Sequence, residues 1–154
     1  MIERITPPGV PTPRGPYSPA VRAGDFLFVA GQGPVDAATN QMSFGDIRHE
    51  TRLVLSNIKK ILEGCGVSLA DVVKCSVFLV DGRDFSAMNE VYAEFFGTNK
   101  PARTTVETSF AVPQMKVEID CIAYQPRARP AGARAQRPAR AGRRPAKRPA
   151  KRKR

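Results

Sequence analysis

The sequence predicts an α+β fold, a single sheet with two helices packed on one of its faces. Three observations predict it. Two stretches carry apolar residues at helical spacing, 46–65 and 84–97, and several short apolar or alternating runs read as strands. The order of these runs is β, α, β, α, β, β, a mixture that fits helices laid against one sheet. The acidic residues all end at Asp120, which leaves about 125 residues for one domain with its own core.

The elements follow in chain order. Residues 7–19, "PPGVPTPRGPYSP", contain six prolines and two glycines, which exclude helix and predict an extended segment draped over the surface. "DFLFVAG", 25–31, is a short apolar strand, and the glycines, Pro34 and Asn40 after it make a loop. Gly31, Gln32 and Gly33 look like the start of a dinucleotide fingerprint, but Pro34 follows and no G-x-G-x-x-G is completed.

From Asp46 to Cys65, Ile47, Val54, Ile58, Ile61, Leu62 and Cys65 recur at helical spacing, with Asp46 as N-cap and Gly66 beyond the C-terminus. Ser68 and Asp71 make a capped turn. Val72 to Val80 then reads as a strand buried on both faces. Asp84 caps a second helix with Phe85, Met88, Val91, Tyr92 and Phe95 on its apolar stripe, stopped by Gly97. Strands at 103–108 and 115–124 flank a turn near Pro113. Each half reads strand, helix, strand, without sequence identity between the halves.

Charge divides the chain in two. Residues 1–125 hold all 14 acidic residues and 12 Lys/Arg, a net of 12 − 14 = −2, whereas 127–154 hold the other 13 basic residues. Residues 126–154 contain no aromatic or β-branched residue, so this tail is expected to be disordered. Cys65, Cys75 and Cys121 are widely spaced and form no C-x-x-C pair, which argues against a disulfide framework or a zinc site and fits a reducing cytoplasm. No run of 18 apolar residues and no signal-like N-terminus is present, so a soluble protein without a membrane partner is expected.

The inventory of chemistry is short. His49 is the only histidine and falls on the charged face of the first helix, which excludes a catalytic triad or a multi-histidine metal site. What remains is carboxylate and guanidinium chemistry on the last two strands. If those strands are antiparallel neighbours, Arg103 and Glu118 can project to the same side. Periodicity alone then favours a solvated cross-strand salt bridge; an anion receptor is the alternative.

Four blocks in order, "GPYSPAV" (15–21), "VAGQGPVD" (29–36), "MNEVYAEFF" (88–96) and "KPARTTVE" with "KVEIDCIAY" (100–107, 116–124), resemble the Rid family, also called YjgF, the reactive intermediate deaminases. The resemblance spans residues 1 to about 125. It implies a chorismate-mutase-like fold assembled as a homotrimer, with clefts between subunits and no cofactor or metal. It implies hydrolysis of 2-imino acids, the imine and enamine products of pyridoxal-phosphate enzymes, to 2-oxo acids and ammonia.

Carried over by position, the resemblance implies that Arg103 grips the substrate carboxylate, that Glu118 positions the attacking water and that Tyr17 completes the catalytic set. It implies that Gly31, Asn89 and Thr105 line the same cleft. Thr104, Thr105 and Ala30 depart from residues common in the family, which points to altered substrate preference.

The tail's composition suits non-specific binding of DNA or RNA through residues 127–154; a solubilising extension is the plainer reading. Two further functions stand beside deamination. One is a nucleic-acid-associated protein, with the endoribonuclease activity proposed for some relatives and the trimer as scaffold. The other is a 2-oxo acid binder without turnover.

Overall fold

The two helices form where the apolar spacing places them. In the computed structural model, which describes residues 1–126, α1 spans Ile47–Gly64 and α2 spans Phe85–Phe96. The Asp46 carboxylate accepts the His49 N–H at 2.8 Å, satisfying one of the orphan donors of the first turn. Gly66 follows α1 with φ +72° and Gly97 ends α2 with φ +51°, a backbone region that side-chain-bearing residues rarely adopt. The turn at Ser68 closes as expected, with the Ser68 N–H and hydroxyl both donating to Asp71 at 2.8 Å.

The strands are β1 (Ile2–Ile5), β2 (Ala20–Ala23), β3 (Phe26–Gln32), the short hairpin β4 (Val35–Asp36) and β5 (Gln41–Met42), β6 (Val72–Leu79), β7 (Ala102–Glu107) and β8 (Val117–Tyr124). Six of them form one sheet in the order β1-β2-β3-β8-β6-β7. Both helices cover the same face. Val54, Leu55, Ile58, Ile61 and Leu62 of α1 and Met88 of α2 pack there against Leu27, Val29, Val77, Val117 and Ile119. The α+β class with two helices on one face is therefore observed. Four-residue β1 and β2 and the hairpin are additions to the elements legible in the sequence.

Three expectations change. First, β7 and β8 are not neighbours: β6 lies between them, parallel to β7 and antiparallel to β8. Strand β7 forms the sheet edge, and residues 108–116 carry the chain past β6 to β8. Second, β6 is not buried on both faces, because Val73 is 44% exposed and Lys74, Ser76 and Phe78 are only partly covered. Third, the apolar stripe of α2 buries Phe96 rather than Phe95 and leaves Phe85 at the surface.

The face opposite the helices is open and apolar. Phe26, Phe28, Tyr124 and Val106 stand on it more than two-fifths exposed, and Phe26 contacts the Tyr124 ring of the next strand at 5.0 Å between centroids. No helix among the described residues is long and apolar enough to cross a membrane. The basic tail from residue 127 onward lies outside the described residues.

Candidate active site

The register across β7, β6 and β8 decides where the site residues point. Arg103 pairs with Cys75, which pairs with Cys121, and those cysteines belong to the core beneath the helices. Glu118 pairs with Phe78, which pairs with Val106 on the open face. Partners in register share a face, so Arg103 and Glu118 project to opposite sides of the sheet. The expectation that they share a side is overturned: it assumed an antiparallel β7–β8 pair, whereas β6 lies between them and sets Arg103 level with Cys121, whose face of β8 is the one opposite to that of Glu118.

Arg103 turns toward α2. Its guanidinium carbon stands 4.6 Å from the centre of the Tyr92 ring and 5.7 Å from that of Phe85, a stacking arrangement suited to a planar cation. Positions 85, 89, 92, 93 and 96 recur along one side of α2, which is why Asn89 reaches the same place. Asn89, Tyr92, Phe96, Lys100 and Arg103 line one cavity of about 340 Å³. Neither Arg103 nor Asn89 is committed to a hydrogen bond or ion pair with another described residue. A guanidinium set over two rings, with its donors unspent, is suited to receive a carboxylate through two parallel bonds.

Glu118 occupies the other half. It is partly buried against β3 at the point where the β3–β8 register shifts between Val29 and Gln32. Gly31 sits in that irregularity, and a Cβ built on it would collide with the Glu118 carboxylate, so the close approach requires glycine. Burial, and then the neighbouring charge of Asp120, raise the Glu118 carboxyl above the ordinary carboxylate value. Arg103 is not among the groups that set it, as expected for residues on opposite faces.

Gly31 also lines a small cleft of about 40 Å³ with Tyr17, Arg14, Gln32 and Gly33. The Tyr17 ring is half exposed, and its hydroxyl oxygen accepts the Arg14 N–H at 3.3 Å.

The structure thus sorts the expected residues into two groups. Tyr17, Gly31 and Glu118 gather at β3 and the proline-rich segment, while Arg103 and Asn89 gather at α2 and β7. Thr105 joins neither: it lies on the helix face beside Val77, with its hydroxyl oxygen buried and unpartnered. Thr104 points to the open face and accepts a hydrogen bond from Lys74 at 2.9 Å.

Comparison with known proteins decides the lineage. Residues 9–125 match the family model described as Endoribonuclease L-PSP. A RutC family protein of Pyrococcus horikoshii is 53% identical over 125 residues, covering 81% of this chain and 99% of that protein. The 3-aminoacrylate deaminase RutC of Acinetobacter baylyi is 40% identical over 122 residues, covering 79% and 97%. The crystal structure of YyfA from Yersinia pestis, described as a protein of unknown function of the conserved Rid family, superposes with a TM-score of 0.77 at 35% identity, covering 80% of this chain and 99% of that one. The chain belongs to the Rid family.

Deaminases are members of this family. Three features of the Rid chain escaped sequence reading. Lys100 lines the Arg103 cavity, Arg14 lines the Tyr17 cleft, and Tyr92 with Phe85 forms the wall behind the guanidinium. Their signal was the loop chemistry of "TNKP" and the i, i+7 spacing on α2, both of which also suit a plain surface. Cys75 and Cys121 face each other beneath Tyr92, and burial pushes both thiols upward, away from the thiolate a nucleophile needs. Among the described residues no cluster of His, Cys, Asp and Glu has the makings of a metal site.

Proposed function

We propose that this Rid protein hydrolyses 2-imino acids and their enamine tautomers to 2-oxo acids and ammonia, in a site completed between two copies of the chain. The observation that carries the reading is the division of the site. The carboxylate receptor and the acid/base carboxylate stand on opposite faces of one sheet, so one subunit cannot present both to one small substrate. An adjacent copy can, if the β7 edge and α2 of one subunit meet the open face and β3 of the next. The exposed apolar surface around Phe26, Phe28 and Tyr124 supports burial against a partner. Contacts that join unlike surfaces repeat head to tail and form a ring where the rotation between copies closes, and a homotrimer is the ring we propose.

The chemistry follows from the two halves. Arg103 of one copy fixes the substrate carboxylate by its planar fork, which places the adjacent C=N carbon. Glu118 of the other accepts a proton from a water as its oxygen bonds to that carbon, and the C=N π pair moves to nitrogen, which takes that proton from Glu118. The resulting carbinolamine collapses: Glu118 accepts the hydroxyl proton and passes it to nitrogen, the C–N bond breaks, C=O forms and ammonia leaves. One water is consumed for each imine. The raised Glu118 suits this exchange, because a carboxyl nearer neutrality gives and takes protons more readily.

The test is release of ammonia from 2-iminopropanoate and 2-iminobutanoate generated in situ. Faster release than the spontaneous reaction, reduced on Arg103→Ala and on Glu118→Gln, is expected; equal rates for Arg103→Ala and the unaltered protein would refute the role given to Arg103.

A second reading concerns the tail alone. Thirteen basic residues without an acidic neighbour favour salt-dependent binding to DNA or RNA phosphates. Removal of 127–154 should abolish retention of DNA on a filter and leave deamination intact. Retention by the shortened chain at physiological salt would overturn it.

A further inference from the structure

The cavity that holds Arg103 contains a second cation that hydrolysis of a simple imino acid does not use. Lys100 lies three residues before Arg103, in the turn that leads from α2 into β7, and lines the same space. No carboxylate lines that space, and neither cation is in an ion pair with a described residue. Four other surface cations are in ion pairs: Arg48 with Glu90, Arg52 with Glu94, Lys59 with Glu63 and Arg83 with Asp81. Lys100 and Arg103 have no such partner among the described residues and line one cavity.

One carboxylate satisfies the Arg103 fork. Lys100 is exposed and lines the same cavity, where an unpaired positive charge attracts a second anion. The volume of about 340 Å³ exceeds what a three-carbon imino acid fills and falls within the range of small-molecule sites. We propose that Lys100 receives a side-chain carboxylate, so that the site prefers imino acids derived from acidic amino acids over those with short neutral side chains. Asn89, on the same wall, supplies an amide donor to either carboxylate. The inference rests on the deaminase reading and names its substrate class. Reactions that supply such a substrate are those that oxidise or dehydrogenate the amino group of an acidic amino acid.

The test uses the full chain and two imines made in situ, iminosuccinate from aspartate and 2-iminopropanoate from alanine, each corrected for spontaneous hydrolysis. The unaltered protein should show the higher kcat/KM with iminosuccinate. Lys100→Met should lower the ratio of the two kcat/KM values about fivefold, or about 1 kcal/mol at 1.4 kcal/mol per decade. Arg103→Lys should lower both values together. A ratio unchanged within twofold by Lys100→Met overturns the proposal, because Lys100 then serves the shared carboxylate or none.

Calorimetric titration with 2-oxoglutarate and 2-oxobutanoate reads the same recognition without turnover. Tighter binding of the dicarboxylate that is lost in Lys100→Met supports the proposal, and equal affinities overturn it. Unaltered protein that hydrolyses neither imine overturns the deaminase reading, while the titration still decides the role of Lys100.

Discussion

Gly31→Ala separates the position of Glu118 from its chemistry. A Cβ on residue 31 would lie 2.9 Å from the Glu118 Cδ and 3.2 Å from its Cγ, against about 3.5 to 4.0 Å for relaxed contact between carbons. The carboxylate must therefore retreat by about 0.6 to 1.1 Å, the difference between those distances. The clash falls on the far end of a flexible side chain, so rotation relieves it and stability should change by less than about 1 kcal/mol, or a few degrees in Tm. A displacement near 1 Å of a group that must meet a water and a proton costs on the order of 10² in rate.

Imine hydrolysis and thermal unfolding of the same preparations measure the two effects. Gly31→Ala should lose about 10² in kcat with a nearly unaltered Tm. In a Glu118→Gln background the same substitution should cost much less, because the displaced group is already disabled. An unaltered kcat in Gly31→Ala, or equal losses in both backgrounds, would refute the claim that Gly31 acts by seating Glu118.

Three further outcomes are expected. Because the folded protein raises the Glu118 carboxyl above 4.5, the unfolded chain deprotonates first as pH rises; stability falls from about 4.5 up to the raised folded value and is level above it. Chemical denaturation should therefore find Glu118→Gln more stable than the unaltered protein at pH 7 and this advantage gone below 4.5, while Asp120→Asn should move the acid limb of the rate profile to lower pH. Arg103→Lys keeps the charge but loses the fork and should lower kcat/KM by about 10- to 100-fold, the scale of a lost charge-assisted hydrogen bond. Glu50, fully buried in the first turn of α1, accepts the backbone N–H groups of Lys116 at 2.8 Å and Gly45 at 3.2 Å; Glu50→Ala leaves both donors unpaired and should destabilise the fold by roughly 2 to 4 kcal/mol in urea unfolding.

The helices and most of their ends were legible because their signals are local; Asp84, read as the cap of α2, makes no capping hydrogen bond, and the side chain of Asp81 caps the turn before it. Asp46, Ser68, Asp71, Gly66 and Gly97 each act within a few residues, and the α1 stripe repeats over its whole length. Strands β1 and β2 were not legible, since four residues with mixed polarity carry almost no period and are held by pairing with β3. The sheet order was the larger gap. Alternation tells which residues of one strand share a face, but not which strand lies beside it, and the placement of β6 between β7 and β8 reverses the relation of Arg103 to Glu118. The residues of the candidate site were legible through family resemblance, whereas their separation into two halves was not, because it depends on that topology. Lys100 stood at the head of the block "KPARTTVE", but as a charged loop residue it gave no sign of lining the cavity.

The account turns on a site shared between copies, and a mixing experiment reads that directly. Arg103→Ala and Glu118→Gln proteins, each nearly inactive alone, are unfolded together, refolded in equal amounts and assayed for imine hydrolysis. In random rings, about one site in four joins an intact Arg103 from one copy to an intact Glu118 from another, so activity should return to about one quarter of the unaltered level. Mixed rings, verified by native mass spectrometry, that stay as inactive as their parents would contradict the account.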